Sequence, residues 1–157
     1  MKLKVDQDSA KVTIPPPLVL MGLVLIVLPI QFYFPMPLLP GFIHWIWGVS
    51  LFIIGMAMVY SSARLFKSNK TNVEPWKSTS CIVETGPYKY TRNPIYVAGM
   101  ILMLAIAFLV NSVWIVIAEF PFFLFLNFWV VPKEEKYLEA KFGEAYTNYK
   151  AKVTRWV

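Results

Sequence analysis

Charge is scarce in this chain, and what there is lies in a few places. Its 157 residues include nine acidic side chains, fifteen Lys and Arg, one histidine and one cysteine. The lone cysteine, Cys81, excludes an internal disulfide and any cysteine-built metal cluster. His44 is equally alone, so no metal site is expected. Internal repeats and low-complexity segments are absent as well.

What fills the chain instead is apolar. Hydrophobic residues make up 57% of it and aromatics 17%, and the mean hydropathy is +0.55. A water-soluble domain of this length has too little interior to hide that much apolar surface. Four stretches, 18–34, 42–60, 94–110 and 113–131, are nearly free of charge. Each approaches the roughly 20 residues needed to cross hydrocarbon about 30 Å thick. The expectation is an all-α, polytopic membrane bundle forming one domain over 1–157, with about four transmembrane helices.

The two short loops 35–41 and 111–112 contain no Lys or Arg. All fifteen basic residues therefore fall on the other side, which the positive-inside rule makes cytoplasmic, with both termini. Lys2, Lys4 and Lys11 precede the first span, Arg64 to Arg92 separate the second from the third, and Lys133 to Arg155 follow the fourth. The net charge of +6 then reads as this topology signal plus attraction to anionic lipid headgroups. Nucleic acid is not an expected partner, because no soluble basic fold exists to carry it.

The first span should stop near Pro29 or Pro35, where the backbone ladder loses a donor. The polar connection 64–92, with Pro75 and Pro87, is too long for a turn, and long ordered loops are usually functional. Asn111-Ser112 forces the third and fourth spans into a tight hairpin. The tail 134–150 carries Leu138, Phe142, Ala145, Tyr146 and Tyr149 at helical spacing. An amphipathic helix lying on the cytoplasmic surface is expected there.

Chemistry concentrates where the third span begins, at Thr91-Arg92-Asn93-Pro94-Ile95-Tyr96. Asn93 suits an N-cap and Pro94 the first helical position. Arg92 then stands beside the positive end of the helix dipole, as an anion site or as one more topology-setting charge. Because the two hairpin helices return to the same face, Glu134 and Glu135 should lie near Arg92 and Tyr96. They serve either a ligand or the first turn of the tail helix. Tyr88, Tyr90 and Tyr96 offer aromatic faces to a cation, or anchor the interface. Glu119 stands alone inside the fourth span, as a functional acid or as a protonated packing residue. His44 and Cys81 read as structural and uninvolved. One carboxylate pole and one anion-binding pole suit a zwitterionic cofactor such as S-adenosylmethionine.

The run Val83-Glu-Thr-Gly-Pro-Tyr-Lys-Tyr-Thr-Arg-Asn-Pro-Ile-Tyr96, then Glu134-Glu135, then Phe142-Gly-Glu-Ala-Tyr146, Tyr149, Val153 and Arg155-Trp156, resembles the isoprenylcysteine carboxyl methyltransferases. These are related to the phospholipid N-methyltransferases. The resemblance covers about half the chain, from Val83 to Trp156. It implies a helical membrane enzyme that binds S-adenosylmethionine on its cytosolic side and methylates a lipophilic acceptor. Cofactor contacts would come from Val83, Gly86, Pro87, Tyr88, Tyr90, Asn93, Pro94, Glu134 and Glu135. Arg92, Tyr96 and Glu134 would carry the chemistry, with Glu119 a second candidate base for an amine or thiol acceptor. Asn93 stands where that family usually has His, and Ala98 where it usually has Gly. Asn93 donates a hydrogen bond but cannot titrate, so an acid–base role at that position is lost. Two other readings remain, an NADPH-dependent membrane sterol or lipid reductase and a non-enzymatic scaffold.

Overall fold

The structure, a computed structural model, describes residues 6–157; Lys2 and Lys4 lie outside the described residues. It is all-helical, as expected, with no strand among the described residues. Helix α1, Pro16–Tyr33, opens on a proline at its first turn, where the missing N–H is no loss. It runs through Pro29 rather than stopping there, since one lost backbone bond is tolerated inside an apolar helix. Helix α2, Ile43–Ser68, continues past Tyr60 through Arg64 and Lys67, so the polar connection begins later than expected. Helix α3, Pro94–Leu109, is shorter.

The fourth span departs most from expectation. Helix α4, Val113–Phe125, passes into a π-helical stretch, Leu126–Val130, and straight on into α5, Val131–Phe142. Pro132 cannot donate to the Phe128 carbonyl one turn back. The ladder resets through a wider bond from the Val131 N–H to the Leu126 carbonyl. The separate tail helix expected over 134–150 is therefore two pieces. Its first half is a rigid extension of the span, and Gly143 (φ +53°) breaks the chain before α6, Glu144–Lys152. A side chain is strained in that left-handed region, and glycine is not.

By length and composition, three rods can cross a membrane: Pro16–Tyr33, Ile43–Ser68 and the continuous Val113–Phe142; Pro94–Leu109 is a shorter apolar helix beside them. In the third rod the apolar part ends at Val131, because Pro132, Lys133, Glu134, Glu135 and Lys136 follow.

Small residues set the packing. Gly48, Gly55 and Ser62, spaced by seven on α2, are all buried, and Ala98 and Ala105 on α3 have no exposure. A Cβ on Gly48 would come within 2.7 Å of the Leu109 side chain, and one on Gly55 within 2.8 Å of Leu102. The two backbones can approach only because these side chains are missing. Helix α1 packs on α4 while α2 packs on α3, so the linker 34–42 passes over the α3–α4 turn. Asn111 (φ +54°) pins it there. Its Oδ1 accepts from the Leu38 and Leu39 N–H groups at 2.8 and 3.0 Å. At the same end His44 Nδ1 lies 3.0 Å from the Phe108 carbonyl oxygen, a structural tie. The outer faces of α1 and α2 leave Leu25, Ile26, Trp45, Phe52 and Ile53 exposed, a surface for lipid rather than water.

Candidate functional site

The opposite end of the bundle holds the polar connection, the segment before α1 and the tail. A cavity of about 240 Å³ opens among them, between the ends of α1 and α2, the start of α3, and α5 and α6. Sequence position alone puts Arg92 and Tyr96 near Glu134 and Glu135, and the structure pairs them. The Tyr96 hydroxyl donates to Glu134 Oε1, and Arg92 Nη1 donates to Glu135 Oε1 at 2.7 Å. The two adjacent carboxylates therefore play different parts. Glu135, with its side chain 9% exposed, faces guanidinium, while Glu134 faces phenol and cavity.

The expected anion pole is altered by this pairing. Arg92 spends one nitrogen on Glu135 and shares it with the Tyr146 hydroxyl at 3.3 Å, yet its Nε is buried with no partner. Asn93 occupies the N-cap position, but its side chain does not cap α3. Its Nδ2 donates instead to the Arg155 carbonyl at 2.9 Å, so its amide serves tail docking.

The tail supplies what the sequence reading missed. Thr91 Oγ1 also donates to the Arg155 carbonyl at 2.9 Å, and the Arg92 N–H to the Thr154 carbonyl at 3.0 Å. That clasp brings the Arg155 side chain onto Glu135 through two bonds, Nε to Oε1 at 3.0 Å and Nη2 to Oε2 at 2.6 Å. Asn127, on the π-helical stretch, accepts from Trp156 Nε1 at 2.9 Å and Arg155 Nη1 at 3.4 Å. Glu135 is thus held by two guanidiniums, and the pair with Arg155 strengthens that residue's hold on its proton.

Val83, Tyr88, Asn93, Glu134 and Glu135 line the cavity with Arg92 and Tyr96. Gly86 (φ +60°) and Pro87 do not; they form the 3₁₀ turn Gly86–Lys89 that delivers Tyr88. Pro94, the first residue of α3, is buried outside the lining, and Tyr90 is 75% exposed. Glu119 is not brought to the site at all. It lies in a separate groove with Met100, Leu104, Val116, Phe120 and Phe123, roughly 22 Å along the helix from Glu134. Phe66, Trp76, Tyr137, Tyr146 and Tyr149 complete an aromatic lining that sequence reasoning did not assign, and Cys81 also borders it. Their spacing carried a signal only for Tyr146 and Tyr149, which share the buried face of α6.

Among the described residues, Glu134 is the lining carboxylate with no basic partner, so its side of the cavity suits a cation. Arg92 is, among the described residues, the one basic residue of the lining, and of its carboxylates Glu74 pairs with Lys77 and Glu135 with Arg92 and Arg155. Three residues beyond the apolar span, burial and the neighbouring Glu135 push the Glu134 carboxyl up to about 7, against the pull of the Tyr96 hydroxyl. Burial first, then the Glu134 charge, holds the Tyr88 phenol well above its usual range, so it stays neutral. Its backbone carbonyl accepts from the buried Tyr149 hydroxyl at 2.8 Å. Among the described residues no group of three His, Cys, Asp or Glu side chains converges to hold a metal ion.

Comparison with known proteins covers the same region. The family model for phospholipid methyltransferase matches residues 43–145, from the first turn of α2 into α6. A 36-residue stretch is 50% identical to an uncharacterized protein of Haemophilus influenzae, covering 23% of this chain and 57% of that protein. No solved structure matches. The family match spans α2, α3 and the α4–α5 rod, the elements that carry Arg92, Tyr96, Glu134 and Glu135, and the chain belongs to the phospholipid methyltransferase family.

Proposed function

We propose that this integral membrane methyltransferase uses S-adenosylmethionine to methylate a lipophilic acceptor at the cytoplasmic membrane face, with the layout of an isoprenylcysteine carboxyl methyltransferase. The observation that carries the reading is the Tyr96–Glu134 pair in an aromatic cavity at the edge of the apolar spans. The confinement of the thirteen basic residues among the described residues to this end supports the cytoplasmic placement.

The residues fit the cofactor. Glu134 and the Tyr88, Tyr96 and Trp76 rings suit a cationic sulfur, and the Arg92 guanidinium on the lining suits a carboxylate or an acceptor anion. When bound, S-adenosylmethionine supplies an electrophilic methyl group. The chain's own part is orientation and proton handling. Arg92, fixed by Glu135, holds its guanidinium against the cavity wall, and the aromatic walls exclude water. For an amine or thiol acceptor, Glu134 takes the proton while Tyr96 donates to it, and a carboxyl near 7 suits that task. A carboxylate acceptor needs no base, and Arg92 would orient it. Glu119 has no part in this.

The lining offers the phosphates of NADPH little, since among the described residues its one arginine is already paired with Glu135. Titration of the detergent-solubilised protein with S-adenosylhomocysteine and with NADPH separates the readings. Saturable binding of the first alone is expected. Binding of NADPH alone, or of neither, would overturn the proposal.

A further inference from the structure

Arg155 lies outside the cavity lining, yet it makes a two-point bond to Glu135, which Arg92 grips from the other side. A carboxylate with one guanidinium would be neutralised; with two, the cluster of Arg92, Glu135 and Arg155 keeps a positive charge beside Glu134. We infer that Arg155 is a positioning residue of the methyltransferase site: by sharing Glu135 with Arg92 it fixes the Arg92 guanidinium at the cavity and offsets the Glu135 charge felt by Glu134. The inference rests on the proposed S-adenosylmethionine site and adds a regulator of its charge.

Three features support it. The arrangement is geometrically specific, since Arg155 uses Nε and Nη2 on the two Glu135 oxygens, a fork that lysine cannot reproduce. The backbone of the same residue accepts from Thr91 and Asn93, which flank Arg92. Asn127 fixes the outer guanidinium nitrogen from the π-helical stretch, where α4 passes into the rod bearing both glutamates. One residue thus ties the start of α3, the α4–α5 rod and the tail at a single carboxylate.

The consequence for Glu134 follows from the groups around it. Tyr96 of α3, Tyr88 of the 3₁₀ turn and Tyr146 of α6 face it, with Glu135 beside it on α5. The charges nearest Glu134 are therefore those of the cluster that Glu135 forms with Arg92 and Arg155. Removing the Arg155 charge leaves more of the Glu135 charge acting on Glu134, which then holds its proton to higher pH. A protonated Glu134 attracts a cation less.

The test measures binding of S-adenosylmethionine and of uncharged-sulfur S-adenosylhomocysteine across pH 5.5 to about 9 in wild type, Arg155→Gln, Arg155→Lys and Trp156→Phe. Wild-type affinity for S-adenosylmethionine should rise through a midpoint near 7. In Arg155→Gln the midpoint should sit about one pH unit higher, with affinity at pH 7 about fivefold weaker. Arg155→Lys should restore most of the midpoint but not all of the affinity. Trp156→Phe loosens the tail at Asn127 without removing charge, so it should lower thermal stability and leave the midpoint in place. Should Arg155→Gln prove too unstable, Glu135→Gln removes the charge at the centre of the cluster and should move the Glu134 midpoint below 7; a midpoint that stays in place there overturns the inference as well. An unchanged midpoint in Arg155→Gln, or an equal rise in Trp156→Phe, overturns the inference while leaving the cofactor site standing. Absence of wild-type binding at every pH would sink the cofactor site and the inference together.

Discussion

Replacing Glu134 by glutamine should make the protein more stable at alkaline pH and less able to bind its cofactor. Burial raises this carboxyl from an ordinary 4.5 to about 7 in the fold. A raised carboxyl favours the folded state fully below about 4.5, and that contribution is lost as pH climbs through 7. The difference corresponds to about 3 kcal/mol between pH 4 and pH 8. Glutamine keeps an oxygen for the Tyr96 hydroxyl and carries no charge to desolvate. Glu134→Gln should therefore melt roughly 5–10 °C above wild type at pH 8 and close to it at pH 4.5. Thermal unfolding in one detergent, at one scan rate and across that pH range, reads the effect directly. The same variant should lose about tenfold or more in S-adenosylmethionine affinity at pH 8. A group that weakens the fold where it strengthens ligand binding is placed for function, not packing. If Glu134→Gln melts at or below wild type at pH 8, the carboxylate is not held at a cost, and the assignment of Glu134 as the cation-facing base fails.

Three further outcomes are expected. Arg92→Ala should abolish S-adenosylhomocysteine binding, and Arg92→Lys should restore it only in part, because the two-point geometry goes with the guanidinium; isothermal titration decides, and full binding by Arg92→Ala would remove it from the site. Gly48→Ala should destabilise by about 1–3 kcal/mol, since its Cβ would press on Leu109 side chain and backbone, whereas Gly99→Ala, with nothing within 4 Å of the new atom, should be neutral or slightly stabilising in the same melt. Reporter fusions after Gly41 and Asn111 should read outside, and those after Lys70 and the last residue inside; an outside signal at Lys70 would move the whole cavity to the other face.

How much of this was legible depended on whether a feature was periodic. Long apolar runs announce themselves, so the helices that cross the bundle were readable, although α2 overran its apolar stretch through Arg64 and Lys67. The meeting of Arg92 and Tyr96 with Glu134 and Glu135 was readable too, because two helices joined by a two-residue turn must return to the same level. Continuity across Pro132 was not, since a proline after an apolar run looks like an ending. Only the wider Val131-to-Leu126 bond shows how the helix absorbs it. The break at Gly143 was hidden for the opposite reason: the apolar spacing of Leu138, Phe142 and Tyr146 runs through it unbroken.

Arg155 was hidden most completely, and the reason bears on how such a site works. Its partner Glu135 lies beyond a chain reversal, and no spacing rule connects the two. Local pattern therefore shows Arg92 as a free cation and the glutamates as an acidic pair. In the fold, the tail docks through Thr91 and Asn93 and its arginine takes up Glu135. Glu134 is then left as the carboxylate turned to the cavity. The asymmetry between two neighbouring glutamates, one bound to guanidinium and one to phenol, is set by Arg92 and Tyr96 and reinforced by a tail residue outside the cavity. The same docking explains how Asn93 can stand where a histidine is usual in the resembling family. Its amide supports the tail by donating to a backbone carbonyl, a role that needs no titration, while the proposed proton acceptor, Glu134, lies on α5.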